Sequence, residues 1–237
     1  MIPKIIHYCW FGGNPLPEDA KACIESWKKY CPDYKIIEWN ESNFDLGANS
    51  YVKEAFEAKK WAFITDYVRL YVLYTYGGIY MDTDVEVIKN IDVFLDNQGF
   101  SGFEDYDRVP TGIMAAEKGL LFMQEQLRCY ENRHFIVDRK PDLKTNVETI
   151  TEYCLKEGLV LNNTKQTIKG FTFYPKEFFC PKNSQTLELS ITENTYTIHH
   201  FSGSWMKQTS KWKQVIKRIL GVKICKILIS IKRKING

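Results

Sequence analysis

The stretch TDYVRLYVLYTYGGIYMDTD, Thr65 to Asp84, decides how this chain is read. Val68, Tyr71, Val72 and Thr75 recur at spacings of three and four, the apolar stripe of a helix. Gly77-Gly78 ends that helix, because glycine gives the tight backbone that a stop requires and that can approach a ligand closely. Ile79-Tyr80-Met81 is then a short buried strand, with Asp82-Thr83-Asp84 at its carboxyl edge. Two carboxylates one residue apart on an irregular strand end can both reach one cation, and hard oxygen ligands suit Mn²⁺ or Mg²⁺. Such an ion with open positions would bind a diphosphate. Alone, Asp-x-Asp is a weak signal and more often an ordinary solvated turn. Asp66 and Arg69 are three apart and share a helix face. They are either a surface ion pair, worth little, or two groups pointed at a polar ligand near the helix start.

Outward from this stretch the elements alternate. Lys4–Phe11 is apolar and β-prone and runs into Gly12-Gly13 and Asn14-Pro15, a first strand entering a loop. Glu18–Tyr30 has helical spacing and stops at Cys31-Pro32-Asp33, and Tyr34–Trp39 is a second strand. Tyr51–Tyr76 is expected as two helices broken near Phe63–Asp66, with Thr65 or Asp66 capping the second. Val85–Ile88, Phe100–Phe103, Thr111–Ala116, Phe171–Tyr174 and Tyr196–His200 are expected strands; Leu120–Tyr130 and Asn146–Leu155 are expected helices. Strand and helix in alternation predict an α/β fold around a mostly parallel sheet.

The 237 residues fit one domain, and 44% hydrophobic residues can build a sizeable core. Charge is uneven. Ten Lys/Arg and no Asp/Glu follow Met206, which leaves 22 basic against 29 acidic residues before it. An acidic body argues against nucleic-acid binding. Seven cysteines, odd in number and without a CxxC pair, argue against a disulfide framework and for a reducing compartment. MIPKIIHYCWFGG lacks the long apolar run of a signal peptide, and no run is long enough for a membrane span. The chain is therefore expected in the cytoplasm.

The central stretch resembles the signature of the DXD-containing sugar transferases, glycosyltransferase family 32. The opening IPKIIHYCWFGG and the late IHHFSGSW are similar to that family as well, so the resemblance spans roughly residues 1–206. It implies a GT-A nucleotide-diphospho-sugar transferase fold over 1–206 and a metal-dependent enzyme that retains anomeric configuration. It implies a nucleotide-sugar donor, UDP-linked, carrying a hexose or N-acetylhexosamine, and a saccharide or lipid-linked saccharide acceptor in surface polysaccharide synthesis, capsular or lipopolysaccharide. Trp10 matches the position that stacks on uracil in toxin-like relatives; without the resemblance it is as readily a core residue. Asp66 and Arg69 match donor-sugar contacts, Thr65 lies by the ribose, and Gly78 and Tyr80 are placed close to the donor. Asp82 and Asp84 match residues touching ribose, sugar and metal. In a strand only one of two adjacent histidines faces a given side. The spacing His200-Phe201-Ser202-Gly203 resembles metal-site segments of related GT-A enzymes, which selects His200 as the third ligand and leaves His199 packed behind. Ser204 and Trp205 would contact the diphosphate. Asp105, Asp107, Thr111 and Gly112 fall where relatives place acceptor-facing residues, as does Asn146, although Thr145-Asn146 stands where many relatives carry Gly-Pro.

Two other readings remain. Ile79–Val85 also fits the hydrophobic strand and D-x-D-x-[TV] of haloacid-dehalogenase-like phosphatases. That motif normally opens a chain, however, and leaves Trp10, Arg69 and His200 without a role. A non-catalytic nucleotide-sugar-binding module would keep the fold without needing the intact Asp-x-Asp. Residues 207–237 alternate basic and apolar positions, as in VIKRILGVKICKILISIKRK. They are either a cationic amphipathic segment on the inner, anionic face of the cell membrane or a helix packed on the domain.

Overall fold

The computed structural model describes residues 1–203. The first half runs β1 (Ile5–Cys9), α1 (Glu18–Tyr30), β2 (Lys35–Trp39), α2 (Ser50–Glu57), α3 (Trp61–Tyr76), β3 (Gly78–Met81) and β4 (Val85–Val87). After a single 3-10 turn at Asp92–Phe94 come β5 (Gly99–Gly102), β6 (Ile113–Ala116), α4 (Leu121–Arg128), the short hairpin β7 (Ile136–Val137) and β8 (Lys140–Pro141), and α5 (Asn146–Lys156). The last elements are β9 (Gln166–Ile168), β10 (Phe171–Tyr174), α6 (Lys176–Phe179) and β11 (Thr197–His199).

Seven strands form the central sheet in the order β2-β1-β3-β6-β5-β10-β9. All but β6 and β9 run in one direction, so the sheet is mostly parallel, as the alternation of elements predicts. Successive side chains of a strand face opposite layers, and the two cores follow that alternation. Tyr80, Met114, Ala116, Phe171 and Phe173 pack toward α2, α3, α4 and α5. Ile6, Ile79, Met81, Ile113 and Phe100 pack toward α1 and β4. β4 leaves the sheet to pair antiparallel with β11, Val85 opposite His199.

Local sequence explains the helix ends. α1 carries Glu18 and Asp19 in its first turn and Lys28 and Lys29 in its last, complementing the helix dipole. Asn49 caps α2 by accepting from the Tyr51 and Val52 N–H groups. Thr145 and Glu148 close a reciprocal capping box on α5.

Two expectations need correction. The break between α2 and α3 lies at Ala58–Lys60, not at Phe63–Asp66, and the chain reverses there through Lys59 at φ 55°. Thr65 and Asp66 lie inside α3 and cap nothing; the Thr65 hydroxyl donates to Trp61 O at 3.1 Å. Their polarity serves the cleft rather than the helix start. Gly78, at φ 107°, answers a packing need: a Cβ there would lie 2.7 Å from Ile5 O and 3.1 Å from the His7 ring. It stands at the opposite end of β3 from Asp82 and does not line the cleft.

Candidate active site

The cleft opens at the carboxyl ends of β1, β3 and β5, where open α/β sheets bind their ligands. It encloses about 770 Å³. Asp82 follows β3 directly, its N–H held by Gly112 O at 2.9 Å. A turn closed by Val85 N–H to Asp82 O at 3.0 Å presents Asp84 beside it. β11 supplies the third group. His199 Nε2 lies 3.3 Å from Asp84 Oδ1, while the Ser202 N–H donates to Asp84 Oδ2 at 2.8 Å. One ligand atom from each of Asp82, Asp84 and His199 falls within 4.8 Å of the others. Two carboxylates and an imidazole are a donor set for a divalent cation with a preference for oxygen. His199 Nδ1 is buried without a hydrogen-bond partner among the described residues. Gly112 is glycine because that ring covers it: a Cβ would lie 3.1 Å from His199 Nδ1.

Electrostatics favour the charged cluster. Burial opposes ionisation of Asp84, but His199 and the Ser202 amide outweigh it and draw the carboxyl down to about 2. Burial likewise opposes charge on His199, yet Asp84 raises its proton affinity well above the ordinary imidazole value. A divalent ion taking His199 as a ligand would therefore have to displace a proton from it.

Arg69 ties the helix to this cluster. Its Nη2 lies 3.1 Å from Asp82 Oδ1 and 3.5 Å from Asp66 Oδ1, and its guanidinium sits 4.8 Å over the Tyr80 ring. The Tyr80 hydroxyl donates to the same Asp82 oxygen at 3.0 Å. Asp66 is fixed from α5: its Oδ2 accepts the Asn146 N–H at 3.0 Å, and Asn146 Nδ2 donates to Asp66 O at 3.0 Å. Burial raises the Asp66 carboxyl to about 6, with Arg69 and the Asn146 amide opposing. Arg69 Nε is buried without a hydrogen-bond partner among the described residues, at the cleft lining.

Residues 17–101 match the profile described as "Glycosyltransferase sugar-binding region containing DXD motif". Over that segment the chain is similar to this family. Inositol phosphoceramide mannosyltransferase 3 of Schizosaccharomyces pombe is 30% identical to it over 135 residues, 54% of this chain and 36% of that protein. The chain spans about a third of the length of the curated relatives it matches. Two solved structures share the fold, each with a TM-score of 0.50. The PaToxG glycosyltransferase is 21% identical, over 67% of this chain and 70% of that one. A glycosyltransferase involved in glycosylation of the major capsid of PBCV-1 is 14% identical, over 86% and 95%. The fold is GT-A.

Most of the expected residues meet in this one cleft. Trp10, Thr65, Asp66, Arg69, Tyr80, Asp82, Asp84, Asp107 and Thr111 line the cleft. Trp10 is partly exposed, its indole N–H donating to Asn14 O at 2.6 Å. His200 does not join the cluster. Its Nε2 meets Glu86 Oε2 at 2.8 Å, because the pairing of β11 with β4 turns His199 inward and the next residue outward. Strand alternation allows only one of the pair at the cluster; the H-x-x-G spacing selects His200, whereas the structure sets His199 beside Asp84. Asp105 is turned away to Lys176 Nζ, 3.6 Å distant, and does not line the cleft. Asn146 stands behind Asp66 and braces it without lining the cleft. Ser204, Trp205 and the tail 207–237 lie outside the described residues. Sequence reasoning passed over Glu104, which lines the cleft next to the Asp105 it selected. Burial raises the Glu104 carboxyl above its ordinary value, with His199, Arg108 and Lys176 opposing and Asp82 reinforcing. Continuing the alternation of β5 beyond Gly102 would have indicated which of the two acids faces inward.

Proposed function

We propose that this chain is a retaining, metal-dependent hexosyltransferase that moves a sugar from a UDP-sugar to a saccharide acceptor, with Mn²⁺ or Mg²⁺ as its ion. The observation that carries this reading is the convergence of Asp82, Asp84 and His199 within 4.8 Å beside the Arg69–Asp66 pair in one cleft. A divalent ion on those three ligands would neutralise the diphosphate and stabilise the departing nucleotide. Arg69 presents a planar fork of donors to sugar hydroxyls or phosphate oxygens, prepositioned by two carboxylates. Asp66, anchored on α5, accepts from donor hydroxyls, and Trp10 offers an aromatic surface to the base at the cleft. In the transfer, the bond from the anomeric carbon to the phosphate oxygen breaks as the acceptor oxygen bonds the same face. The acceptor hydroxyl proton passes to the leaving phosphate. Retention by this front-face route, the UDP donor and a role in capsular or lipopolysaccharide synthesis are supported by the resemblance to family 32. The phosphatase reading finds no support: the Asp-x-Asp motif is joined here by His199, Arg69 and a family match across residues 17–101.

The test is a thermal-shift panel of UDP- and GDP-hexoses, each with and without Mn²⁺, since a ligand that binds only the folded state raises the melting temperature. A Mn²⁺-dependent shift with a UDP-hexose, followed by turnover, is expected. Asp84→Asn should abolish both, and near-normal turnover in that variant would overturn the site.

A further inference from the structure

Glu104 has free hydrogen-bonding capacity in a cleft where the other carboxylates are engaged. Asp66 is held by Asn146 and Arg69, Asp82 by Arg69 and Tyr80, and Asp84 by His199 and the Ser202 amide. Glu148 caps α5 and Glu152 pairs with Lys144. Among the described residues none donates a hydrogen bond to the Glu104 carboxylate. Its main chain, by contrast, is pinned: Glu104 N–H donates to Arg108 O at 3.0 Å, and the buried Lys176 ammonium donates to Glu104 O at 3.0 Å. The same ammonium donates to Lys182 O at 3.1 Å, so one lysine ties together the two loops that carry Glu104 and Ser184 into the cleft. A partly buried carboxylate with fixed backbone and no donor among the described residues is open to a donor that enters the cleft.

Its place sets it outside the candidate ion's ligand group, on a different strand end from the residues proposed for the donor. Glu104 is not part of the Asp82–Asp84–His199 group. It follows β5, which is two strands from β3 in the sheet, so the two strand ends stand about 10 Å apart. That gap accommodates a sugar ring. The residues proposed for the donor come from the ends of β1 and β3 and from α3, whereas Glu104 enters the same cleft from the loop after β5.

We propose that Glu104 is an acceptor-binding residue: its carboxylate accepts a hydrogen bond from a hydroxyl of the incoming saccharide and so selects which hydroxyl faces the anomeric carbon. This rests on the transferase reading. A charge-assisted bond to a hydroxyl favours a polyol surface that is neutral or amino-bearing over one carrying a phosphate or carboxylate at that point.

The experiment compares wild type with E104Q, which keeps the side chain's size, on the UDP- or GDP-hexose that gives the Mn²⁺-dependent thermal shift. Two rates are measured: hydrolysis of that donor, with water as acceptor, and transfer to molar glycerol and to p-nitrophenyl hexosides. E104Q should lower transfer about tenfold or more, mainly through acceptor KM, while hydrolysis and the thermal shift change by less than about threefold. Equal loss of hydrolysis and transfer would place Glu104 on the donor or the ion and overturn the proposal. An unchanged variant would overturn it too, as would a wild type that hydrolyses donor but glycosylates none of these hydroxyl compounds. Failure of the transferase reading itself looks different: wild type would then show neither thermal shift nor hydrolysis with any donor.

Discussion

At the scale of single residues, the two histidines separate cleanly. His199 faces Asp84 and His200 faces Glu86, so His199→Ala should weaken Mn²⁺ binding by about tenfold or more while His200→Ala leaves it near wild type. Titration calorimetry of the two variants checks this, and equal losses would return the metal role to His200. The same contact sets a pH dependence. In the metal-free protein Asp84 keeps His199 protonated, with burial opposing, so the ion must displace a proton. Mn²⁺ affinity should therefore rise with pH, and the heat of binding should vary with the buffer's ionisation enthalpy. Asp66 supplies a second pH effect with the opposite chemistry. Its folded carboxyl titrates near 6, against an ordinary 3.8, because burial disfavours its charge. The folded state thus holds this proton more tightly than the unfolded state does. Its contribution is complete below the ordinary value and is lost as pH rises through about 6. Asp66→Asn removes the titration, so urea unfolding should show the variant gaining on wild type by on the order of 2–3 kcal/mol between pH 4 and 7. A constant difference over that range would mean that Asp66 titrates normally.

At the scale of elements, legibility followed the strength of the local signal. α1 was readable to the residue because its apolar positions Ala20, Cys23, Ile24 and Trp27 repeat at helical spacing and Pro32 bars continuation. The break before α3 was misplaced because Lys59 takes a left-handed conformation that sequence would assign to glycine. The hairpin β7–β8 was invisible for a similar reason: its turn uses Asp138 and Arg139 at φ 50° and 63°, with no Asn-Gly signal. In the site, Asp82, Asp84, Asp66 and Arg69 were legible because one continuous motif carries them. Glu104 and Asp105 were separable only by carrying the alternation of β5 past its last residue, and the partner that takes Asp105 out of the cleft is a lysine more than 70 residues later in the chain. That lysine gives the element-scale prediction. Lys176 is buried and its ammonium bridges Glu104 O, Lys182 O and Asp105, so Lys176→Met leaves two carbonyls and a carboxylate without their donor. Denaturant unfolding should show a loss of about 3 kcal/mol, and the variant should lose acceptor transfer more than donor binding. Donor binding lost in step with transfer would mean that the brace supports the whole cleft.

At the scale of the whole molecule, charge is divided along the chain. Residues before Lys207 hold 22 basic and 29 acidic side chains, while those from Lys207 onward hold ten basic and none acidic. No described helix is long and apolar enough to cross a membrane. An acidic body is repelled by an anionic lipid surface, and each Lys or Arg brought near that surface contributes about 1 kcal/mol of attraction. This division of charge predicts that residues 207–237, and not the body, carry any attraction to an anionic lipid surface. Sedimentation with vesicles containing anionic lipid should carry the full chain down at low salt, release it as salt rises through the screening range, and leave it free of zwitterionic vesicles. A chain ending at Met206 should stay in the supernatant under all these conditions yet retain the Mn²⁺-dependent shift with its donor, since every described residue of the cleft precedes that point. Should the shortened chain still sediment, the attachment lies on the body despite its net negative charge. Should it lose donor binding as well, the tail belongs to the catalytic unit instead of the membrane.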